Sequence, residues 1–576
     1  MEIIHLATLG LLSLSCLPTS AAQQSYTSPQ VAVKHNVADT KDPYEWNHIC
    51  PQLDPLFPKK IKRSLAMKKY INSEDFFQAS ARRLSEAVQI NTTTNDDMQG
   101  LFGDNPVWNH MFVFSEYLKQ TFPLINERLV LERINTHGLV YTWQGRDLSL
   151  RPTLLLAHQD VVPVRPESEH QWEHPPFSGD FDGTYVWGRG SIDCKSTLIA
   201  IMEAVEELLT IKFSPERTVI LAFGFDEEIS GYQGAKNIAL HLLRRYREDG
   251  IAVLVDEGSG IMTDPSLSDS YYALVGVAEK GYLDAELVVR MESGHNLLPP
   301  KENSIEVMAN LIRKIKENPF QNSLHHGNPA LDFMFCVAQH GEVRNDTVRD
   351  AIKEVDNDLT KANGFLDKVV PSLPKFDPLF RTIQSNAVIQ GGTKVNVIPE
   401  RTLLRINHRI VYGTTVDDVR SHLQQIVEAF ITGFNADLGP REAPLNFTGW
   451  DQDEVVNSIS LKTLSGSEGP SPATSYSVNG TTPYSILHGT TRAIYRHNIT
   501  MVAPMLVPGA TDSRHYINVT KHIFRFSPGR DLADTTDSVL SSNAHGVNER
   551  VNMQGHVKGV EWYSTFIRNM DEADMD

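Results

Sequence analysis

Three continuous apolar runs dominate the first half of the chain and predict buried strands: TLLLAH (153–158), TVILAFGF (218–225) and IAVLV (251–255). Between them, apolar residues recur at helical spacing, at Leu198, Ile201, Met202, Val205, Leu208 and Leu209 and again at Ile238, Leu242 and Tyr246. Strands that are apolar on both faces and alternate with amphipathic helices are typical of an α/β fold, with helices on both faces of one central sheet.

A second pattern begins after residue 282 and predicts an inserted, smaller α+β domain. Strand-like DAELVVR (284–290) and TLLRINHR (402–409) precede a helix predicted at 416–431, and the run TMVAPMLV (500–507) then resumes the first pattern. The Ser-, Thr- and Gly-rich residues 450–482 are expected to form a long surface loop. The chain is therefore divided into five parts: a leader (1–22), an N-terminal extension with helices (23–104), a main domain in two parts (105–282 and 436–576) and an insertion (283–435).

The composition is that of a globular protein, and the charge argues against one class of partner. The chain has 576 residues, of which 41% are hydrophobic and 22% charged, with a formal net charge of −18. Nucleic-acid binding needs a basic surface, so we expect no nucleic-acid partner. Outside the leader only Cys50, Cys194 and Cys336 remain, too few for a disulfide framework, so folding is expected to depend on a large core.

The first 22 residues predict a secretory signal. An apolar run at 3–17 is followed by Pro18 and small residues ending at Ala22, and it is shorter than the roughly 20 residues of a membrane span. An uncleaved signal anchor is the alternative, because no positive side chain precedes the run. Six Asn-x-Ser/Thr sequons agree with passage through a secretory pathway, at Asn91, Asn345, Asn446, Asn479, Asn498 and Asn518.

Histidine and carboxylate side chains follow each of the three predicted buried strands. His158 and Asp160 follow the first strand, Glu227 and Glu228 the second, and Asp256 and Glu257 the third, while Asp193 precedes a helix. In such sheets the ligand site lies beyond the carboxyl ends of the strands. Crowded carboxylates repel one another and lose hydration, and divalent cations remove that conflict. The donor set suits zinc, with cobalt or manganese as substitutes, and a bridging carboxylate would suit two metal ions.

Each of these residues also has an ordinary explanation when it is taken singly. A lone histidine after a strand is more often structural, and Asp193 could simply cap the following helix. We interpret Asp226 and Glu257 in this way, as solvated or capping residues. Only the joint occurrence of the other residues points to a metal centre.

Five ordered segments resemble one known family. AHQDVVPV (157–164), GRGSIDCKSTL (188–198), FDEEISG (225–231), VDEGSG (255–260) and a segment containing HGVNER (545–550) are similar to the metal-site motifs of the dinuclear zinc exopeptidases. That family includes aminoacylase, glutamate carboxypeptidase and carboxypeptidase S, and the last branch is the most similar. The resemblance runs from about residue 105 to the C-terminus. It implies a zinc-exopeptidase-like fold with a central mixed sheet and an inserted lid or dimerisation-type domain.

The resemblance implies a role for each matching residue. His158 and Asp256 would bind one zinc ion, Glu228 and a C-terminal histidine the other, and Asp193 would bridge both. Glu227 would be the general base, and Asp160 would orient His158 by a hydrogen bond. Three histidines could supply the last ligand, and the motif favours His545 over His515 and His556.

The insertion carries three further matches. SGHNLLPP (293–300) resembles the family's Gly-His turn, which would make His295 a group that stabilises the tetrahedral intermediate. GGTKVNVIPE (391–400) resembles a strand that carries a substrate-binding asparagine, here Asn396. Arg409 would bind a substrate carboxylate, since guanidinium matches carboxylate in a bidentate geometry. Ser196 stands where many relatives have glycine, which fits the carboxypeptidase S branch, and the long insertion leaves monomer and homodimer both open.

The function that we predict is that of a zinc-dependent metallocarboxypeptidase acting on short peptides. The alternative within the same family is an N-acyl-amino-acid hydrolase or synthase, because only the acyl side of the substrate differs. A catalytically silent, metal-stabilised binding protein is a third hypothesis, and it would predict loss of Glu227 or of a ligand. We expect a vacuolar or secreted protein, with no stable membrane partner unless the N-terminal segment stays uncleaved.

Overall fold

The predicted buried strands lie side by side in one large sheet. In the computed structural model the described residues form a nine-stranded mixed sheet, in the order β1-β2-β5-β3-β6-β17-β8-β16 with β7 beside β8. The three apolar runs form β3 (Thr153–His158), β5 (Val219–Gly224) and β6 (Val253–Ser259), with β3 parallel to both of the others. The other strands of this sheet are β1 (Val130–Ile134), β2 (Gly138–Trp143), β7 (Ile261–Asp264), β8 (Ser268–Glu279), β16 (Met501–Val507) and β17 (Ile523–Phe526).

The structure describes residues 50–59, 62–95, 97–98, 106–264, 268–325, 327–341, 343, 345–355, 362–373, 376–439, 443–529 and 543–575. The predicted leader therefore lies outside the described residues. Within the described part of the chain, no helix is long and apolar enough to span a membrane. The helices are α1 (Lys62–Ile71), α2 (Glu74–Gln89), α3 (Asn109–Thr121), α4 (Pro123–Arg128), α5 (Ser196–Thr210), α6 (Ala235–Tyr246), α7 (Ser304–Glu317), α8 (Pro329–His340), α9 (Asp346–Val355), α10 (Ala362–Val369), α11 (Val416–Ala436), α12 (Pro483–Tyr495) and α13 (Met553–Glu572).

Both faces of the large sheet are covered, as the apolar pattern predicts. Alternate residues of one strand enter different cores because successive side chains point to opposite faces. Leu155 packs with Leu198 of α5 and Phe566 of α13 on one face, whereas Leu154 packs with Ile238 of α6 on the other. The α/β class with helices on both faces is thereby confirmed.

A second sheet of five described strands is formed by the insertion and by residues that follow it. Its order is β11-β13-β9-β15-β14, from β9 (Gly281–Arg290), β11 (Ile383–Gly391), β13 (Arg401–Ile410), β14 (Asn446–Trp450) and β15 (Ser458–Glu468), and α7 and α11 cover one face. Two short strands, β10 (Gly294–His295) and β12 (Val397–Ile398), form a separate ribbon. The second sheet thus continues past residue 435, and β15 occupies part of the predicted loop at 450–482.

The insertion is tied back to the large sheet at two places. Only Lys280 separates β8 of the large sheet from β9 of the second sheet. Helix α8 packs against the edge strand β16, and a disulfide joins Cys336 of α8 to Cys50, 286 positions earlier. The side chain of Gln52 pairs with both the N–H and the carbonyl of Val502 on that edge strand. The remaining strands, β4 (Tyr185–Trp187) and β18 (Arg550–Asn552), pair with each other.

Candidate metal centre

The neighbouring parallel strands deliver their polar residues to one edge of the large sheet. His158 is the last residue of β3, a 3₁₀ turn at Glu227–Ile229 follows β5, and Glu257 lies on β6. Asp193 lies in the loop before α5, and His545 lies in the segment that leads to β18. Because the three strands point the same way, residues far apart in sequence meet at their carboxyl ends.

Asp193 stands between two imidazoles. Its Oδ1 is 3.1 Å from Nε2 of His158, and its Oδ2 is 3.2 Å from Nε2 of His545. Glu228 Oε2 is 3.1 Å from the same nitrogen of His545. On the other side, Glu257 Oε1 is 3.3 Å from Nε2 of His158. One carboxylate therefore faces two sets of donors, which is the arrangement that a ligand shared by two metal ions requires.

Asp256 does not join this group, and its neighbour Glu257 takes the expected place. The Asp256 carboxylate accepts hydrogen bonds from the N–H of Ser513, at 2.9 Å, and from the N–H of Glu257, at 2.9 Å. Both residues lie on β6, where successive side chains point in opposite directions. In this geometry Glu257, and not the predicted ligand Asp256, is the acid of β6 that lies beside His158. Our interpretation of Glu257 as a solvated or capping residue is not what the structure describes.

Asp160 connects His158 to the turn that carries Glu227 and Glu228. Its Oδ1 is 3.4 Å from Nδ1 of His158, whose closer partner is the Asp160 main-chain oxygen at 2.9 Å. The same carboxylate accepts the N–H of Glu227 and the N–H of Glu228, both at 3.1 Å. This position fixes the orientation of the imidazole, the role that the sequence suggests, and it also fixes the acidic turn.

The buried Asp226 and Asp512 hold the chain around that turn. Asp226 accepts the N–H groups of Gln233 and Gly234, both at 2.7 Å, just before α6, so it is a capping residue but is not solvated. Asp512 lies so close to Gly231 that an added Cβ would be 2.3 Å from its Oδ1, and Gly231 has φ of +66°. Glycine is therefore required where the segment FDEEISG passes this carboxylate.

This group of side chains contains more carboxylates than imidazoles. Burial raises the pKa of Glu228 to about 7 and of Glu257 to about 7, and it raises the pKa of Glu227 well above its ordinary value. Hydrogen bonds to Asp193 and Glu228 raise the pKa of His545 to about 10. Burial opposes charge on His158, but Glu257 and other neighbours still raise its pKa. Carboxylates thus outnumber imidazoles in this buried group, and the donor set fits divalent metal ions.

Of the three C-terminal histidines, only His545 lies in this group. Nε2 of His515 is 3.0 Å from the carbonyl of Ser230, and burial lowers the pKa of His515 to about 4. His556 is buried beside Glu203, with Nε2 to Oε2 at 3.3 Å. His545 itself has a left-handed backbone, with φ of 62°, and its side chain is 53% exposed. The metal centre is therefore open to solvent on the His545 side.

The predicted substrate residues of the insertion lie elsewhere. His295 and Asn396 are both exposed, and His295 lies on the β10–β12 ribbon, where it pairs with Val397. Among the described residues, no hydrogen bond or ion pair joins this ribbon to the metal group. Arg409 lies on β13, with its guanidinium 5.3 Å from the ring centroid of Tyr282.

A cavity lies at the junction of the two sheets. It has a volume of about 220 Å³, and its lining includes Tyr282, Glu468 and Arg514. Nε of Arg514 is buried and has no hydrogen-bond partner among the described residues. Neither Arg409 nor Arg514 lies within 4.0 Å of a carboxylate in the described part of the chain. Two guanidinium groups therefore lie near Tyr282 without an ion pair in the described part of the chain, although Glu468 is a charged neighbour of Arg514.

Two residues near the candidate metal ligands, Cys194 and Glu549, are not among the site residues predicted from the sequence. The buried thiol of Cys194 lies with donor atoms of His158 and Glu257, all within 4.8 Å of one another. Glu549 is fully buried and contacts the loop that presents Asp193. Both residues stand inside segments that resemble metal-site motifs, GRGSIDCKSTL and HGVNER, so their places in those motifs are the signal that could have found them.

The fold and this group of side chains define a class: an α/β protein with a second sheet inserted in the chain and with donors suited to two divalent metal ions at one sheet edge. Residues 154–569 match the model of Peptidase family M20/M25/M40, and the chain belongs to that family of peptide hydrolases.

Named relatives agree with this assignment. The chain is 34% identical over 535 residues to carboxypeptidase S of Saccharomyces cerevisiae, covering 91% of this chain and 89% of that one. It is 32% identical over 462 residues to the N-fatty-acyl-amino acid synthase/hydrolase PM20D1 of Mus musculus, covering 80% and 82%.

Solved structures agree on the fold. An M20 family metallo-carboxypeptidase from Sulfolobus solfataricus matches with a TM-score of 0.55 at 18% identity, covering 85% of this chain and 99% of that one. The di-peptidase Dug1p of Saccharomyces cerevisiae matches with a TM-score of 0.59 at 12% identity, covering 89% of this chain and 100% of that one. At these identities the likeness supports the fold alone.

Proposed function

We propose that the protein is a dinuclear zinc metallocarboxypeptidase that hydrolyses the C-terminal peptide bond of short peptides. The observation that carries this proposal is the position of Asp193, whose two oxygens face His158 and His545 separately. His158 and Glu257 would hold one zinc ion, Glu228 and His545 the other, and Asp193 both. Cobalt or manganese could substitute, because the donors are imidazole and carboxylate.

Glu227 is the general base in this proposal. The bound ions would supply positive charge that lowers the pKa of a water molecule and polarises the scissile carbonyl. Glu227 takes the proton of the attacking water and later gives it to the leaving amine. Burial raises the pKa of the Glu227 carboxyl well above its ordinary value, which favours its taking up a proton. Asp160 holds the N–H of Glu227 and so fixes the turn that carries the base.

The substrate carboxylate is assigned to the junction of the two sheets. Arg409 and Arg514 both lie near Tyr282, and neither forms an ion pair in the described part of the chain. A guanidinium binds a carboxylate through two parallel hydrogen bonds, so either residue can hold the C-terminal carboxylate of a peptide. His295 remains our proposal for a group that stabilises the tetrahedral intermediate, and Asn396 for a substrate-binding residue. For His295 and Asn396 to act in these roles, the β10–β12 ribbon would have to approach the metal ligands.

A second candidate function is hydrolysis or synthesis of N-acyl amino acids. It is favoured by the similarity to the N-fatty-acyl-amino acid synthase/hydrolase of mouse. The same base and the same carboxylate-binding arginines would serve both reactions, because the bond that breaks is an amide in each case. Only the pocket for the acyl side would differ.

One assay with two substrate classes tests both functions. The purified chain, loaded with zinc, is given N-blocked dipeptides such as N-blocked Gly-Leu and, separately, fatty-acyl amino acids, and free amino acid is measured. We expect release from the peptides, loss of release after chelation and recovery with zinc. Release from the acyl amino acids alone would refute the peptidase proposal in favour of the second candidate.

We also propose passage through the secretory pathway to a vacuole lumen or the outside of the cell. All six sequon asparagines are exposed, which enzymatic glycosylation requires. The Cys50–Cys336 disulfide suits an oxidising compartment. Glycosidase treatment of the natural protein should lower its apparent mass, and an unchanged mass would contradict this route. A monomer and a homodimer both remain compatible with the proposal, which includes no nucleic-acid partner.

A further inference from the structure

Glu549 is the carboxylate that organises the loop carrying Asp193. Its Oε1 accepts three main-chain N–H groups, from Gly190 at 2.9 Å, Ile192 at 3.1 Å and Asp193 at 3.3 Å. Its Oε2 accepts a hydrogen bond from the guanidinium of Arg189. We propose that Glu549 is a positioning residue, which sets the position of the shared ligand Asp193 without touching the metal ions itself.

The burial of this carboxylate shows how strongly it is held. Glu549 is 0% exposed and Arg189 is 4% exposed. A buried carboxylate without partners is strongly unfavourable, so the loop and the glutamate stabilise each other. The loop turns sharply at Gly190, where φ is +84°, and the N–H groups of Gly190, Ile192 and Asp193 all point to this carboxylate. Without Glu549, the main chain that presents Asp193 would lose three hydrogen bonds at once.

The same residue also joins the two segments that supply ligands to the second metal position. Glu549 follows His545 by four residues and directly precedes β18, which pairs with β4. The carbonyl of Glu549 accepts the N–H of Gly188 at 2.8 Å, so main chain and side chain contact the same loop. The position of Asp193 relative to His545 therefore depends on Glu549. The inference rests on the proposed function, in which Asp193 and His545 are metal ligands.

A second buried glutamate provides a matched control. Glu203 is 1% exposed and binds Ser80, Arg83 and His556 through its carboxylate. It lies on α5, the helix that follows the Asp193 loop, and so it resembles Glu549 in burial and in having an arginine partner. Its contacts are with α2 and α13 rather than with a loop that carries a ligand. Loss of Glu203 should reduce the stability of the fold and leave the metal centre unchanged.

The experiment measures zinc dissociation constants by chelator competition, with thermal unfolding of the metal-free proteins recorded in parallel. We expect Glu549→Ala to weaken zinc binding by about 10- to 100-fold, the usual effect of losing a residue that orients a ligand. Glu549→Gln keeps one oxygen for the N–H groups and should weaken zinc binding less. Glu203→Gln should lower the unfolding temperature without changing zinc affinity. If Glu549→Ala does not fold, the zinc affinity of Glu549→Gln relative to that of Glu203→Gln decides the question.

The outcomes separate this inference from the proposed function. Wild-type protein that retained no zinc would overturn the metal centre and the positioning role together. Wild-type protein that bound two zinc ions, with unchanged affinity in the Glu549 variants, would overturn the positioning role alone. An equal loss of zinc affinity in the Glu203 and Glu549 variants would also overturn it, because the effect would then follow from general destabilisation.

Discussion

The edge of the large sheet and the ribbon of the insertion carry the same kind of predicted residue in very different surroundings. At the sheet edge, His158 is 1% exposed and Asp160 0%, and hydrogen bonds fix both. On the ribbon and the turn beside it, Leu298 is 87% exposed and Val395 96% exposed. The contrast teaches that parallel strand ends bring distant residues together by themselves, whereas the exposed ribbon has no such neighbours among the described residues to fix the position of its side chains.

The largest effect is expected at the sheet edge, for the base. Glu227→Gln removes the proton acceptor while keeping the shape of the side chain, so turnover should fall by at least about 100-fold. Zinc content, measured by elemental analysis, should stay at the wild-type value. The exposed Glu167→Gln is the control and should keep full activity. A Glu227 variant with more than a few per cent of wild-type turnover would contradict the role of base.

The next largest effect is expected for the histidine that binds the second metal ion, His545 rather than His515. His545→Ala removes the imidazole that faces Asp193 and Glu228, so about one zinc ion per chain should be lost. His515→Ala should retain both ions, since His515 contacts the Ser230 carbonyl instead. Elemental analysis of the two dialysed variants decides between them. Unchanged zinc in the first variant and loss in the second would reverse the assignment.

Glu257 and Asp256 are neighbours on β6, and substituting them should have a smaller effect on zinc affinity that differs between the two. Glu257→Gln should weaken binding at the metal position beside His158, because it replaces a charged donor by a neutral one. Asp256→Asn keeps an oxygen for the N–H of Ser513 and should retain wild-type zinc affinity. Chelator competition measures both. Should Asp256→Asn prove the weaker binder, the original ligand set from the sequence would stand.

The smallest effects are expected in the insertion. His295→Ala should lower kcat by roughly tenfold and leave zinc content unchanged, because it would act only on the tetrahedral intermediate. Arg409→Gln should instead raise KM by roughly tenfold, through the loss of a charge-assisted hydrogen bond. Steady-state kinetics on a blocked dipeptide separates the two. Wild-type constants in the His295 variant would show that the ribbon takes no part in turnover.

Much of the architecture could be predicted because burial on both faces leaves a simple pattern. The runs that became β3, β5 and β6 are apolar without interruption, and their polar residues begin where the strands end. The strand β15 was missed because its sequence, SISLKTLSGSE, is rich in residues that favour turns. Ile459 and Leu461 nevertheless enter the core of the second sheet, where pairing with β9 outweighs local preference.

The structure brings His158, Asp193, Glu228 and His545 together, as the motifs predict, and places Glu257 rather than Asp256 beside His158. Motif order led to the acidic pair at 256–257, but the choice between Asp256 and Glu257 depends on the direction of each side chain on β6, which a sequence does not state. Glu549 was missed for a related reason. Its partners lie about 360 positions earlier in the chain, so only the folded structure brings them together.

The Cys50–Cys336 disulfide spans a stretch of chain that contains a third cysteine, Cys194. Cys194 leaves the ribosome well before Cys336 does, so in an oxidising compartment it is the first thiol that Cys50 could capture. In the folded protein Cys194 is fully buried beside His158, beyond the reach of Cys50. Early closure of the large sheet over Cys194 would therefore act as a safeguard against the wrong bridge. Folding of the large sheet would in this way favour the Cys50–Cys336 bridge over a bridge to Cys194.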